Sequence, residues 1–346
     1  MRVKKILKYF RNNKKKVIIP GLAGAVILAA MLWGVWPFFR PIRVIGKFIP
    51  YEYTVYGTYV EINRYTGDEE VVEIPGWIWF RPVKVLGSQP YKVHGEVGAF
   101  YENESVRKVS MPDSIEEMAI QSFEWCVNLE EVHLSNSLKW ISWSAFYGCE
   151  SLKSMEIPEG VEGIGGNAFT LCKSLESVRF PESLKRILGA AFQGCEKLEF
   201  VEIPEGVEVI DGDSFGGTGW EKGFQEDFVV VGKNVLIYYG GNEREVKVPE
   251  GVEYIGSYVF QFNEEMESLE LPLSLKKCDW LMVFCGCENL RYVTVRNPSM
   301  EFGEDMSMEV FYVDSPELTL IGEKGSTAEA YAEAWGHEFV ELQPED

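Results

Sequence analysis

The sequence predicts a right-handed β/α solenoid of 23-residue repeats, with one curved parallel sheet, standing behind an N-terminal transmembrane helix. Three observations carry that reading. Phe100, Phe123, Phe146, Phe169, Phe192 and Phe215 recur without a break every 23 residues, and Phe260 and Phe284 resume the series 45 and 24 residues later. A period of this size belongs to stacked coils rather than to a single globular core. Cys126, Cys149, Cys172 and Cys195 repeat at the same 23-residue interval, so their spacing follows the coil and not a disulfide framework. Residues 17–39 are 23 consecutive uncharged residues, roughly 35 Å as a helix at about 1.5 Å per residue, enough to span a bilayer.

From the N-terminus, residues 1–16 read as a basic cytoplasmic segment. The first 40 residues hold nine Lys or Arg and no Asp or Glu, and eight of the nine precede the apolar run. The positive-inside bias then keeps the N-terminus cytoplasmic and places the body outside, a single-pass arrangement in the cell membrane. Trp33 and Trp36, near the far end of the run, suit the lipid–water interface. The alternative is a cleaved signal peptide. Its apolar region runs about 7 to 15 residues with the small-residue triplet after it, whereas Ala23-Gly24-Ala25 falls inside the run, so residues 17–39 are expected to be an uncleaved signal-anchor. The remaining 306 residues hold 24 basic against 54 acidic side chains, a net of −30. That charge disfavours nucleic acid and anionic polymers and suits cationic partners or divalent ions.

Residues 40–92 read as an opener and N-terminal cap, 93–215 and 249–315 as repeats, 216–248 as a β-hairpin insertion, and 316–346 as a strand-helix-strand C-terminal cap. Counted from each Phe, position +6 is Val106, Leu129, Leu152, Leu175, Leu198, Met266 and Leu290, and position +9 is Val109, Val132, Met155, Val178, Val201, Leu269 and Val293. Position +11 is Met111, Leu134, Ile157, Phe180, Ile203, Leu271 and Val295. This is the L-x-x-L-x-L pattern of a leucine-rich-repeat solenoid, with +9 and +11 inward on a short strand. Proline at +12 in most units ends that strand, because it has no N–H to donate. Ile141, Ile164, Ile187, Ile210 and Ile255 stand five residues before the next Phe and read as the inward side of a returning segment, one short helical turn. Position +14 carries Ser or Gly instead of a turn-tying Asn, leaving backbone and hydroxyl groups to satisfy the turn.

Arg64 to Pro75 and Tyr238 to Pro249 match one another, and each precedes a run of repeats as a block opener. Phe228 to Gly241 reads as two strands about a Gly-Lys-Asn turn. Trp77, Ile78, Trp79 and Phe80 form a surplus before Phe100 that reads as an end cap or as a partner patch, capping ranking first. In the tail, Ser326 and Glu329 start a helix, Ala328, Tyr331, Ala332 and Trp335 share one face, and Gly336 ends it. Leu318 to Ile321 and Phe339 to Leu342 supply flanking strands.

With these residues in place, the chain resembles the BspA-like bacterial leucine-rich-repeat family over roughly residues 53–346. AFYGCESLKSMEIPEGVEGIG, from Ala145 to Gly165, is close to that family's AFxxCxxLxxVxIPxxVxxIG, and the tail is similar to its GSxAExYAxxxGxxF ending. The resemblance implies a secreted or surface-attached bacterial binding protein, some members being adhesive towards host matrix or other cells.

No enzyme activity, cofactor or metal is expected. His94, His133 and His337 are far apart in sequence, and no H-E-x-x-H, G-x-S-x-G or phosphate-binding loop occurs. The periodic cysteines read as buried free thiols rather than metal ligands or redox pairs. Cys278, Cys285 and Cys287 pack, pair or bind metal, packing ranking first. Asp211-Gly212-Asp213 reads as a turn and not a calcium loop. Partner binding is expected on the outward columns of the strands. Position +8 is Lys108, Glu131, Ser154, Ser177, Phe200, Glu245, Ser268 and Tyr292; position +10 is Ser110, His133, Glu156, Arg179, Glu202, Lys247, Glu270 and Thr294. Phe200 and Tyr292 are the apolar outliers, and the rival reading is a plain solvated face. The expected function is a membrane-anchored extracellular protein that binds or adheres to a protein of host matrix or a neighbouring cell. The alternative is an envelope organiser that binds a cell-wall or membrane-complex component of its own cell, and a degenerate enzyme stands third.

Overall fold

In the computed structural model the described residues are 42–45, 50–87, 98–278, 283–302 and 318–343. The apolar run 17–39 and His94 lie outside them. Among the described residues no helix is long and apolar enough to cross a membrane.

Most coils lay two extended stretches, not one, beside those of their neighbours. On the front face, Val71–Glu73, Lys108–Ser110 and Glu131–His133 form one parallel ladder, and Ser154–Glu156 pairs with Ser177–Arg179. A further ladder runs through Glu245–Lys247, Ser268–Leu271, Tyr292–Val295, Thr319–Gly322 and Glu338–Glu341. On the opposite face, Trp140–Ile141, Gly163–Ile164, Arg186–Ile187 and Val209–Ile210 make a second parallel ladder. The single sheet and the helical return expected from sequence are therefore corrected. The returning segment is a two-residue strand, because β-branched Ile favours extended backbone and the fixed period aims its peptide groups at the same groups one coil away. Gly165 N–H donates to the Ile141 carbonyl at 2.8 Å and Leu188 N–H to that of Ile164 at 2.9 Å.

The Phe turn makes a third line of inter-coil bonds. The N–H groups of Phe123, Phe146 and Phe169 each donate at 2.7 Å to the carbonyl of Ala145, Ala168 and Ala191 in the next coil. The backbone reverses around Phe123, Phe146, Phe169, Phe192 and Phe260 through left-handed residues two before and two after each, such as Ser144 and Gly148 around Phe146, at φ 52° and 70°. Close coil approach at this turn explains the Ala or Ser before Phe100, Phe123, Phe146, Phe169, Phe192 and Phe215. The rings stack in file: Phe123–Phe146 and Phe146–Phe169 are both 5.2 Å apart at 3° and 7°, and Phe169–Phe192 is 5.0 Å at 7°. That spacing is the coil rise, roughly 4.8 Å for paired strands.

The cysteine column has a role that composition does not disclose. The thiols of Cys126, Cys149, Cys172 and Cys195 donate to the carbonyls of Phe100, Phe123, Phe146 and Phe169 in the preceding coil, at 3.0 to 3.2 Å. Cys287 does the same to Phe260 at 3.0 Å. Each thiol thus adds a second hydrogen bond to a buried carbonyl that already accepts the N–H of the residue three positions on in its own turn. None of the seven cysteines is in a disulfide. Cys278 is paired opposite Ile255 in the back ladder, so it belongs to a different column from Cys287. Burial pushes the Cys126 and Cys287 thiols up to about 12 and raises Cys149 and Cys172 as well. An unfolded thiol ionises near ~8.5, so the unfolded chain loses protons first and stability falls as pH rises above that value. The slope is up to about 1.4 kcal/mol per pH unit for each thiol. Urea unfolding between neutral and mildly alkaline pH should show this, and Cys126→Ser with Cys287→Ser should flatten the dependence; an unchanged slope in the double variant would exclude the thiols as its source.

Two hairpins open two blocks. Tyr51–Val55 pairs antiparallel with Val60–Tyr65, and Phe228–Val231 with Val235–Tyr239 about Gly232-Lys233-Asn234. Their last residues correspond in detail. Tyr65 stacks on Phe100 at 4.8 Å and Tyr239 lies tilted at 50° against Phe260 at 5.2 Å, each taking the place of a Phe in the file. The Tyr65 hydroxyl donates to Glu69 and that of Tyr239 to Glu243. In the coil that follows, Asn103 and Asn263 stand where other coils have Cys, and their amides reach back to the Gly67 and Gly241 carbonyls. The strand Val235–Tyr239 separates two cores. Val235 and Ile237 pack with the first, Leu236 and Tyr239 with the second.

The last coil is closed by Thr327–Trp335, a helix between the paired strands Thr319–Gly322 and Glu338–Glu341. Ser326 Oγ accepts from Glu329 N–H, the Glu329 carboxylate accepts from Gly325 N–H, and Gly336 ends the helix at φ 79°. Ala328, Tyr331 and Ala332 are buried. The helix and the strand Glu338–Glu341 thereby cover the edge of the last coil.

Candidate functional site

Alternation along a strand sends positions +8 and +10 to solvent while +9 fills the core. Lys108, Ser110, His133, Ser154, Glu156, Ser177, Arg179, Phe200, Glu202 and Tyr292 are exposed, and Glu131, Glu270 and Thr294 are half-buried. The parallel register sets each side chain opposite its counterpart 23 residues away, and the charged ones pair along the stack. Lys108 Nζ meets Glu131 Oε2 at 2.6 Å, and His133 Nε2 lies 2.9 Å from Glu131 Oε1. Arg179 meets Glu156 at 3.1 Å, and Lys247 and Arg296 flank Glu270 at 3.0 and 2.6 Å. The hydrogen bond from Lys108 holds the Glu131 carboxyl below the ordinary carboxylate range. At Glu270 burial pushes the other way, and the Arg296 and Lys247 contacts outweigh it. Much of the column charge is therefore spent between coils. Exposed pairs of this kind are screened by solvent and add little to stability.

The front ladder is interrupted in two places. No pairing joins Glu131–His133 to Ser154–Glu156, and residues 199–203 carry no strand, which corrects the reading of Phe200 and Glu202 as strand residues. The cause of the second break is the insertion. Trp220 N–H, in the short helix Gly219–Lys222, takes the Leu198 carbonyl at 2.7 Å, and no regular coil follows directly to pair with 199–203. Phe200 is 71% exposed and Tyr292 52%. They are not brought together, since Glu245–Lys247 and Ser268–Leu271 precede Tyr292 in the second ladder.

The first break opens into a groove of about 460 Å³. Its lining includes the buried apolar residues Val132, Leu134 and Ile157, and its polar residues include His133, Glu156 and Arg179. Three of the proposed column residues are thereby brought to one place. Asp113, Asn136 and Glu159 complete the polar lining, and Asp113 Oδ1 accepts from both the N–H and the side-chain amide of Asn136, at 3.1 and 3.0 Å. Sequence reasoning missed these three. Their signal was present as a polar column at +13, immediately after the proline position, where the chain leaves the strand but is still beside it. The groove combines apolar surface with an acid-rich rim, and among the described residues no group of three His, Cys, Asp or Glu is placed to hold a metal ion.

The sequence matches the family described as BspA type leucine rich repeat region in six copies, over residues 96–219 and 234–313, more than half of the chain. The chain belongs to this family. The interruption between the two matched stretches falls on the start of the second hairpin, where the BspA-type coil is replaced. Solved structures similar to this BspA-type chain are bacterial leucine-rich-repeat proteins. A leucine rich cell surface protein from Faecalibacterium prausnitzii is 20% identical over 85% of this chain and 98% of its own, with a TM-score of 0.41. The leucine rich repeat protein of T. pallidum is 19% identical over 86% and 98%, at 0.35. The pneumococcal vaccine antigen PcpA is 17% identical over 88% and 99%, at 0.44. Among curated proteins nothing matches. BspA-type solenoids are protein-interaction scaffolds, with the exposed strand face as the usual contact surface.

Proposed function

We propose that this chain is a membrane-anchored, outward-facing scaffold of the bacterial surface that binds a protein partner through the front groove and the adjacent Phe200. One observation carries the reading. The groove gathers His133, Glu156 and Arg179 over buried Val132, Leu134 and Ile157, and a large exposed aromatic ring stands in the coil after Arg179. Contact surfaces concentrate binding free energy in a few aromatic and Arg side chains near a desolvated centre. The acid-rich rim and the net −30 of the body favour a partner segment that presents basic side chains. The basic segment 1–16 and the apolar run 17–39 support the anchored, outward arrangement.

The test is capture by the full-length chain, held in detergent, from two pools: the envelope of the producing cell and a panel of host matrix proteins. Arg179→Glu with Phe200→Ala should weaken the captured interaction by about 10- to 100-fold, corresponding to roughly 1.4 to 2.8 kcal/mol. Its melting temperature should not change, because both side chains are exposed. Retention from the host pool supports adhesion. Retention from the envelope pool alone supports an organiser of the cell's own surface, and undiminished binding by the double variant would move the site away from this face.

A further inference from the structure

We infer that the hairpin Trp77–Pro82 is a lipid-contacting foot, resting in the headgroup region of the bilayer that holds residues 17–39. The inference rests on the anchored reading above. Trp77 pairs with Pro82 and Ile78 with Arg81, leaving Trp79 and Phe80 as a two-residue loop. Both are left-handed, at φ 48° and 64°, in a turn whose favoured occupants are Asn and Gly. Bulky rings avoid that conformation, so the tip holds two aromatics where local backbone preference argues against them. Capping accounts for Ile78, which is buried, but not for the rings, since the hairpin of Tyr51–Val55 and Val60–Tyr65 already extends the back sheet at this end and the rings of Trp77, Trp79 and Phe80 are exposed. Trp77 and Phe80 are instead 66% and 71% exposed, and Val71 nearby is 63% exposed. An open groove of about 370 Å³ lies beside Val71 and Trp77, lined also by Tyr51 and Tyr65, with Glu69 and Glu73 as its acidic members.

The path of the chain selects the occupant. The apolar run ends at Phe39, three residues before the strand Ile42–Ile45, and Val44 in that strand is paired opposite Tyr53. The Trp79 indole N–H donates to the Tyr53 hydroxyl, which folds the tip onto the point where the chain enters the body. Five residues from Phe39 to Val44 reach at most about 18 Å when fully extended. The tip is therefore held near the bilayer surface by a short tether. Trp, with an apolar body and one N–H, is the side chain that the lipid–water interface favours, and Trp33 and Trp36 lie toward the same end of the run. A second copy or a soluble protein would need no such tether.

The test uses the full chain with Trp33→Phe and Trp36→Phe, so that all remaining indoles belong to the body, reconstituted in phosphatidylcholine vesicles containing lipid brominated near the headgroup end of its acyl chains. The expected result is quenching of body tryptophan emission, much of it lost when Trp77→Phe is added, a change that removes the fluorophore and keeps an apolar ring. A chain that floats with the vesicles without quenching retains its anchor and overturns the foot. A chain that does not float overturns the anchored reading itself. Absence of quenching together with a cross-linked two-copy species assigns the patch to self-association and likewise overturns the inference.

Discussion

Phe146→Ala is expected to cost about 3 to 5 kcal/mol of folding stability, the range for deleting a fully buried aromatic ring. Phe146 is fully buried, with Phe123 stacked on one side and Phe169 on the other, each at 5.2 Å. Neither neighbour can move into the vacancy, because the N–H of each is bonded to the next coil at 2.7 Å. The cavity therefore stays largely open, and the cost should lie toward the upper part of the range. Urea unfolding of the variant beside Phe200→Ala, whose ring is exposed, separates the file from mere aromatic content. A wild-type midpoint for Phe146→Ala would remove the Phe column from the core.

Gly212→Ala is expected to be the next most damaging change. The two blocks meet directly at this turn, where Gly212 faces Ser257, while the hairpin strand Val235–Tyr239 lies between Val209–Ile210 and Tyr254–Ile255 in the back ladder. A methyl on Gly212 would sit 2.1 Å from the Ser257 carbonyl oxygen and 3.0 Å from Val259, and one on Gly256 would sit 2.3 Å from the Ile210 carbonyl oxygen. Overpacking usually costs about 1 to 3 kcal/mol, and here the obstructing atom is backbone, which moves only with its whole coil. The strain falls between two cores that share a single strand. The expected signature is a lowered midpoint with the transition split into two, while Gly57→Ala, which meets nothing within 4 Å, should stay within about 0.5 kcal/mol of wild type. A single unshifted transition for Gly212→Ala would mean that the seam relaxes freely.

The columns were legible because a solenoid repeats one environment many times. Phe, Leu, Val and Ile each recur at one offset, and a pattern that agrees over six units outweighs local ambiguity. The C-terminal helix was legible for another reason, since Ser326, Glu329 and Gly336 announce its ends by local chemistry. The back ladder was not, because two extended residues are too short to show an alternation. The link from each Cys to the Phe of the preceding coil was hidden for a deeper reason: the partner is a carbonyl, and carbonyls leave no trace in composition. The first hairpin was missed although its end matches the second, because Tyr51–Val55 lacks the Gly-Lys-Asn turn that marks Phe228–Tyr239. At the candidate site, the outward columns followed from strand alternation. The groove did not, since it depends on a gap in pairing between Glu131–His133 and Ser154–Glu156.

The thiol-to-carbonyl ladder also bears on how the chain survives its own synthesis. In the outward-facing arrangement proposed above, four unfolded thiols at one even spacing, together with Cys278, Cys285 and Cys287, would be open to scrambling into many mixed disulfides. Protection requires that coils zip faster than sulfur oxidises. Neighbouring coils touch at separations of only about 23 residues, so each closure is a short loop and growth can run coil by coil from either opening hairpin. Each coil that carries Cys126, Cys149, Cys172, Cys195 or Cys287 buries that thiol against a Phe carbonyl of the preceding coil as it docks, so oxidation would find its substrate withdrawn in the order the solenoid grows.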